Sequence, residues 1–346
     1  MLRGTKRTVV ALAALSAVVL PSCGRSKAEV YDIVPSVKFS RAKIPLGSAV
    51  EVTSIWTVEP TAKKIPNGYN AFVHFLDAHR VLLVADSHQP VPAPETWEAG
   101  KSYSYTRTVF IPVYPYVGDV EVRTGLFPVQ GKKQRLGLKG DDAGLNEYRV
   151  GKLEFQPQTE NIFLVYKDGW HNPEAHPQNA SVERTWTKKD ALVSFKNPKQ
   201  DVIVYLEADT CFKCFPEQPV VTVSVNNKAG ITVPIENAEV FLKKIHFKAA
   251  DLGADDWVDL RLSMNQAFVP KLLTPPLNND DRELGLLVYH LFVGEAAKLG
   301  EIPASTIVDA AAIAPVAPVK GAKAPAKGAL PAKPSPAPTQ KPAKKS

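Results

Sequence analysis

Between residues 30 and 294 apolar and polar residues alternate with a period of two far more often than apolar residues recur at 3.6. Such alternation puts successive side chains on opposite faces of an extended chain, and it limits the fold more than any other feature. Residues 50–56, 71–76, 80–86, 103–111 and 119–126 read as strands. The clusters Ile65-Pro-Asn-Gly68, Glu98-Ala-Gly100 and Tyr116-Val-Gly118 separate them as turns. The pattern pauses near Pro157 and resumes at 161–166, 191–195, 201–207, 219–225, 258–263 and 286–293. Only residues 249–253 and 296–299 read as helical turns. No amphipathic segment of helical length separates the strands, so a βαβ sheet is excluded. The expectation is an all-β chain with two tandem antiparallel β-sandwich domains of Ig or jelly-roll type, residues 31–157 and 158–298.

The ends are different. From about residue 304 the composition turns to Ala, Pro and Lys, with eight prolines between 310 and 346. Such a segment buries too little apolar surface to offset its ordering entropy, so residues 299–346 are expected to be a disordered tail. The formal net charge is +7, but Lys320, Lys323, Lys327, Lys333, Lys341, Lys344 and Lys345 sit in that tail with no acid among them. Arg3, Lys6, Arg7, Arg25 and Lys27 lie at the start, which leaves residues 28–309 at −5. A basic nucleic-acid-binding fold is therefore excluded. The cationic tail is a candidate tether to an anionic envelope polymer.

Residues 1–22 read as a secretory signal peptide, with three basic residues before an apolar run over 9–20. That run is shorter than the roughly 20 apolar residues of a membrane span. It ends in Leu20-Pro-Ser-Cys23, which resembles a bacterial lipobox. The resemblance implies cleavage before Cys23, acylation of its thiol, a short anchor linker over 23–30, and the lipid bilayer as a partner. More than one acyl chain anchors stably, since each buried CH₂ contributes about 0.8 kcal/mol. Gly24, in place of an aspartate, favours the outer membrane if the organism has one. Two more cysteines form Cys211-Phe-Lys-Cys214. Phe215 stands where a c-type haem site needs histidine, no second ligand pair supports zinc, and Pro216 and Pro219 block the helix of a thioredoxin-like pair. A short-loop disulfide remains, and no metal or cofactor is expected.

The first set of strands carries Phe72-Val-His-Phe-Leu-Asp77, Ala85-Asp-Ser-His-Gln-Pro90, Glu95-Thr-Trp-Glu-Ala-Gly100, Phe110-Ile-Pro112 and Val122-Arg-Thr-Gly-Leu-Phe127. This order resembles a β-sandwich of bacterial envelope proteins that is also appended to membrane-bound glycosyltransferases. Gly169-Trp-His-Asn-Pro-Glu174, Arg184-Thr-Trp-Thr187, Val225-Asn226 and Asp280-Asp-Arg-Glu-Leu-Gly285 are similar to a second such module. The resemblance implies the fold. It does not imply transferase activity, because the modules do not carry the transferase's catalytic residues.

Several residues are candidates for a site. A hairpin turn at Ala78-His79-Arg80 would set residue 72 opposite 86 and bring Asp86 diagonally within reach of His74. His74, Asp86 and His88 then form a candidate polar network, either a satisfied buried histidine or a metal or acid–base cluster. Trp170, His171, Asn172, Glu174 and Arg184 offer an aromatic plane with polar groups, a candidate glycan-binding site; otherwise Trp170 and Trp186 are packing anchors, as Trp97 is for the first core. Residues 280–283 lack calcium-loop spacing and suit a turn with an Arg282–Glu283 ion pair. No Gly-x-Ser-x-Gly elbow, His-Glu-x-x-His, Walker loop or Gly-x-Gly-x-x-Gly occurs. The expected function is a non-catalytic, lipid-anchored envelope protein that binds a glycan or a protein. One alternative is a carbohydrate-active enzyme with acid–base residues drawn from Asp86, His88 and Glu174. Another is a scaffold subunit of an envelope machine, docking through a sandwich face or an edge strand.

Overall fold

The computed structural model describes residues 29–113, 116–130, 134–177 and 179–313. The expected signal peptide over residues 1–22, the expected acylation site Cys23 and the lysine-rich end lie outside these described residues. Val30–Tyr31 (β1) pairs in parallel with Gly137–Leu138 (β9). Ile33–Phe39 (β2), Ala49–Val58 (β4) and Ser102–Phe110 (β7) form a three-stranded sheet in the order β2-β4-β7. Lys43–Pro45 (β3), Tyr69–Leu76 (β5), Leu82–His88 (β6), Gly118–Pro128 (β8) and Tyr148–Gln156 (β10) form a five-stranded sheet, β3-β10-β8-β5-β6.

The second set builds two six-stranded sheets. One contains Leu164–Tyr166 (β11), Asp190–Lys196 (β14), Val220–Val225 (β16), Ala229–Pro234 (β17), Trp257–Met264 (β19) and Ala311–Ala312 (β22), ordered β11-β14-β19-β16-β17-β22. The other contains Glu174–His176 (β12), Asn179–Trp186 (β13), Val202–Asp209 (β15), Phe241–Phe247 (β18), Leu287–Glu295 (β20) and Ile307–Asp309 (β21), ordered β12-β13-β20-β15-β18-β21. Val202, Val204 and Leu206 of β15 face Val221, Val223 and Val225 of β16 and Leu260 and Leu262 of β19 in one core. Each such fully buried side chain contributes about 1.5–3 kcal/mol. The period-two spacing is what places them on one face. The first core gathers Ile33, Trp56, Val58, Tyr69, Ala71, Leu126 and Tyr148 around Trp97. Ala249–Leu252 (α1) and the 3₁₀ turn Ala296–Lys298 occupy the two expected helical turns.

Two features depart from the expected plan. Compactness does not divide the chain at residue 157. One unit takes the chain up to Lys38, Thr53–Tyr105 and Glu121–Lys152; the other takes Phe39–Val52, Thr106–Val120 and everything from Leu153. The dividing line runs through β2, β4, β7, β8 and β10. Its physical basis is an extra apolar cluster of the latter unit, where Ala49 and Phe110 join Ile203, Tyr205, Phe292 and Leu299. The second departure lies in residues 299–313, which the compositional reading assigns to the tail. Here β21 pairs in parallel with β18, and β22 pairs antiparallel with β17. These two short strands cover backbone edges that would otherwise be open for pairing. Between Pro303 and Pro315 the segment has no proline, so Ile307 and Val308 remain free to extend.

Candidate functional site

Strand β5 pairs with β6 so that Val73 faces Asp86 and His74 faces Ala85, with a register shift at Phe75/Leu76. That pairing lies one residue away from the register expected from the turn. Because side chains alternate, it puts Asp86 and His74 on opposite faces of the sheet. The expected three-residue cluster is therefore corrected to two separate arrangements. His74 Nδ1 lies 3.5 Å from Glu147 Oε1. The same carboxylate accepts from Arg135 Nη1 at 2.6 Å and Arg123 Nη1 at 3.2 Å. Burial holds the His74 imidazole below its usual pKa, against the upward pull of the Glu147 charge. In the other arrangement Asp86 Oδ2 lies 2.9 Å from His88 Nδ1, and His88 Nε2 lies 2.8 Å from the Tyr105 hydroxyl. His88 is only 6% exposed; its Nδ1 makes no hydrogen bond among the described residues despite the nearby carboxylate, so the imidazole is hydrogen-bonded to the Tyr105 hydroxyl.

In the other unit, Gly169 opens the turn that delivers Trp170. Its φ is +88°, and a Cβ there would lie 1.9 Å from the Asp190 carbonyl oxygen, so only glycine fits. Trp170 donates Nε1–H to Leu192 O at 2.9 Å and packs on the core, with Tyr166 edge-on at 4.8 Å. His171 Nε2 donates to Glu283 O at 2.7 Å, and Glu174 Oε1 accepts from Arg282 Nη2 at 2.7 Å. Arg184 lies opposite Glu174 in the β12–β13 ladder. Its charge also acts on Asp209, whose pKa is raised by burial and pulled back by the Tyr289 hydroxyl and Arg184. Asn172 is exposed. Among the five candidates, the Trp170 indole N–H, the His171 ring and the Glu174 carboxylate are committed to the protein's own groups. Trp170 thus has the geometry of a packing anchor. Trp186 packs edge-on against Phe268 at 5.9 Å.

The Cys211–Cys214 disulfide is formed, with Cα atoms 5.3 Å apart. Arg282 pairs with Asp280 at 2.7 Å and with Glu174; Glu283 instead accepts from the Lys189 backbone N–H at 2.9 Å. The expected Arg282–Glu283 pair is corrected accordingly: Arg282 holds β12 through Glu174. Among the described residues no group of three His, Cys, Asp or Glu side chains is arranged to hold a metal ion. The most deeply buried opposite charges in this unit are Glu51 and Lys244, 3% and 4% exposed. Lys244 Nζ donates to Glu51 Oε2 at 2.8 Å, and the Thr108 and Tyr205 hydroxyls reach the same carboxylate at 3.1 and 3.3 Å. Burial and the Glu51 charge push the Tyr205 hydroxyl far above its ordinary pKa.

An open cleft of about 460 Å³ in the first unit was not anticipated from the sequence. It lies where β5 begins and β6 and β8 end, three neighbouring antiparallel strands. Asn67, Asn70, Gln89, Glu95 and Gln130 line it, with Tyr69, Gly68 and Val129. Gly68, at φ +85°, turns the chain into β5, and Val129 N–H donates to its carbonyl at 2.9 Å. Among the described residues, none of the five polar side chains has a hydrogen-bond or ion-pair partner. In sequence they are scattered over more than sixty positions, so only the strand register brings them together.

No protein-family model and no curated protein matches the chain. Solved structures offer distant likenesses. A family GH115 4-O-methyl-alpha-glucuronidase with specificity for decorated arabinogalactans matches 39% of this chain at 13% identity and a TM-score of 0.27; this chain spans 18% of its length. The N-terminal CBM22-1–CBM22-2 tandem domain of Paenibacillus barcinonensis Xyn10C matches 73% of this chain and 80% of its own, at 10% identity and a TM-score of 0.22. The mosquito-larvicidal Cry4Aa toxin of Bacillus thuringiensis matches 76% of this chain and 52% of its own, at 6% identity and a TM-score of 0.24. Overlap at these scores is too loose to carry a ligand or an activity across.

Proposed function

We propose that this chain is an exported, lipid-anchored protein whose β-sandwiches bind a component of the cell envelope, a glycan before a protein, without turning it over. The observation that carries the reading is the fate of the acid–base candidates. Asp86 lies 2.9 Å from His88, His88 is buried against Tyr105, and Glu174 is tied to Arg282 in the other unit. A general acid must reach its substrate within hydrogen-bonding distance, and side chains engaged in this way favour a structural role. The lipobox at Leu20-Pro-Ser-Cys23 supports the anchor. Among the described residues no helix is long and apolar enough to cross a membrane.

The reading is tested with the Cys23→Ser chain, which cannot be acylated. Glycan arrays and pull-down from envelope extracts should recover a glycan, or failing that a single protein partner. A folded chain that retains neither contradicts it. The enzymatic alternative rests on the proximity of Asp86, His88 and Tyr105 and requires that His88→Gln abolish a measurable glycan hydrolysis.

A further inference from the structure

We infer that the cleft at the end of β5, β6 and β8 is a binding site for a neutral oligosaccharide. The inference rests on the proposed binding function and deepens it by naming the site and the ligand class. Four of the lining side chains are carboxamides, those of Asn67, Asn70, Gln89 and Gln130. Each offers both donors and an acceptor, the combination that matches a sugar hydroxyl, which donates and accepts at once. Their lack of partners among the described residues makes those atoms available to a ligand without first breaking a protein hydrogen bond.

Size and charge narrow the ligand. A volume of about 460 Å³ lies within the roughly 300–1,000 Å³ range of small-ligand sites. A cleft of that size is too local for a folded protein, whose interface spans about 800 Å² on each side. Among the described lining residues, the one charged group is the Glu95 carboxylate. It accepts from hydroxyl pairs but repels an anion, which disfavours uronic-acid and phosphate-bearing glycans. A cation is no better match, because calcium needs six to eight oxygens at about 2.3–2.6 Å and this cleft spreads one carboxylate and four amides over far more space. The exposed side chain of Val129 supplies apolar surface for the C–H face of a ring.

Rigid placement follows from the sheet. Asn70 lies within β5 opposite Phe127 of β8, and Gln89 and Val129 directly continue the paired strands. Asn70 is therefore fixed by a backbone ladder, and Gln89 is attached directly to the end of one. That lowers the ordering cost of binding.

Saturation-transfer NMR and calorimetry on the full Cys23→Ser chain test the inference. The probes are neutral tetrasaccharides (malto-, cello-, manno- and chito-series), with a hyaluronan tetrasaccharide as the charged control. At least one neutral probe should bind, and hyaluronan should not. Gln89→Ala and Gln130→Ala change exposed side chains and should leave the fold intact; together they should weaken binding at least tenfold. Trp170→Ala should leave it unchanged. If a neutral probe binds wild type and the double variant equally, the cleft assignment falls while glycan binding by the chain stands. If no neutral probe binds, or only hyaluronan does, the inference is overturned. Recovery of a protein from envelope extracts would then separately decide the broader binding reading.

Discussion

Lys244→Met should destabilise the unit that contains it by about 3–5 kcal/mol, the usual cost of leaving one member of a buried ion pair uncompensated. Lys244 and Glu51 are 4% and 3% exposed and 2.8 Å apart. Methionine fills much of the lysine's volume, so the loss comes from the charge left behind and not from a cavity. Without the ammonium, the Glu51 carboxylate keeps only the Thr108 and Tyr205 hydroxyls, at 3.1 and 3.3 Å. For a unit of this size each kcal/mol shifts the melting temperature by about 2–4 °C, so a fall of about 6–20 °C is expected. Urea and thermal unfolding, followed by far-UV circular dichroism and tryptophan fluorescence, give both numbers. The double variant Glu51→Leu/Lys244→Met should recover most of the loss, because an apolar pair replaces two desolvated charges. A Lys244→Met loss below 1 kcal/mol, or a double variant as unstable as the single, would refute the reasoning.

Three further outcomes follow from particular residues. Burial depresses the His74 pKa in the folded chain, so below about pH 6.5 the unfolded chain takes up that proton first. Stability should therefore fall as pH drops through that value and level off below the folded pKa, and His74→Gln should lose this component of a pH series of urea melts. A chain ending at Ser305 loses β21 and β22 and should self-associate through its open edges in analytical ultracentrifugation, whereas one ending at Ile313 should stay monodisperse. Wild-type protein should fractionate with membranes and yield an acylated N-terminal Cys23 peptide by mass spectrometry, and Cys23→Ser should be found in the soluble fraction.

The sequence conveys the all-β class through alternation that is easiest to read in the central strands. β19 is an example, since one face is buried and the other is not. It conveys β2, β13 and β18 poorly, because proline, glutamate, arginine and lysine interrupt the apolar rhythm there and packing sets the pairing. Register is the hardest quantity to read. One shifted residue at Phe75/Leu76 moves Asp86 away from His74 and converts an apparent cluster into two unrelated pairs. Gly169 was legible as a turn former, and a Cβ there would meet the Asp190 carbonyl oxygen at 1.9 Å. The amide-lined cleft was illegible because its residues share no spacing and meet only through three strand ends.

Binding without turnover is the central claim, and one measurement tests both halves. Immobilised Cys23→Ser chain is incubated with oligosaccharides released from envelope material, washed, and eluted for mass spectrometry. The account predicts a neutral oligosaccharide retained on the chain and recovered at its original mass after prolonged incubation. Shortened products that disappear with His88→Gln, or no retained oligosaccharide at all, would contradict it.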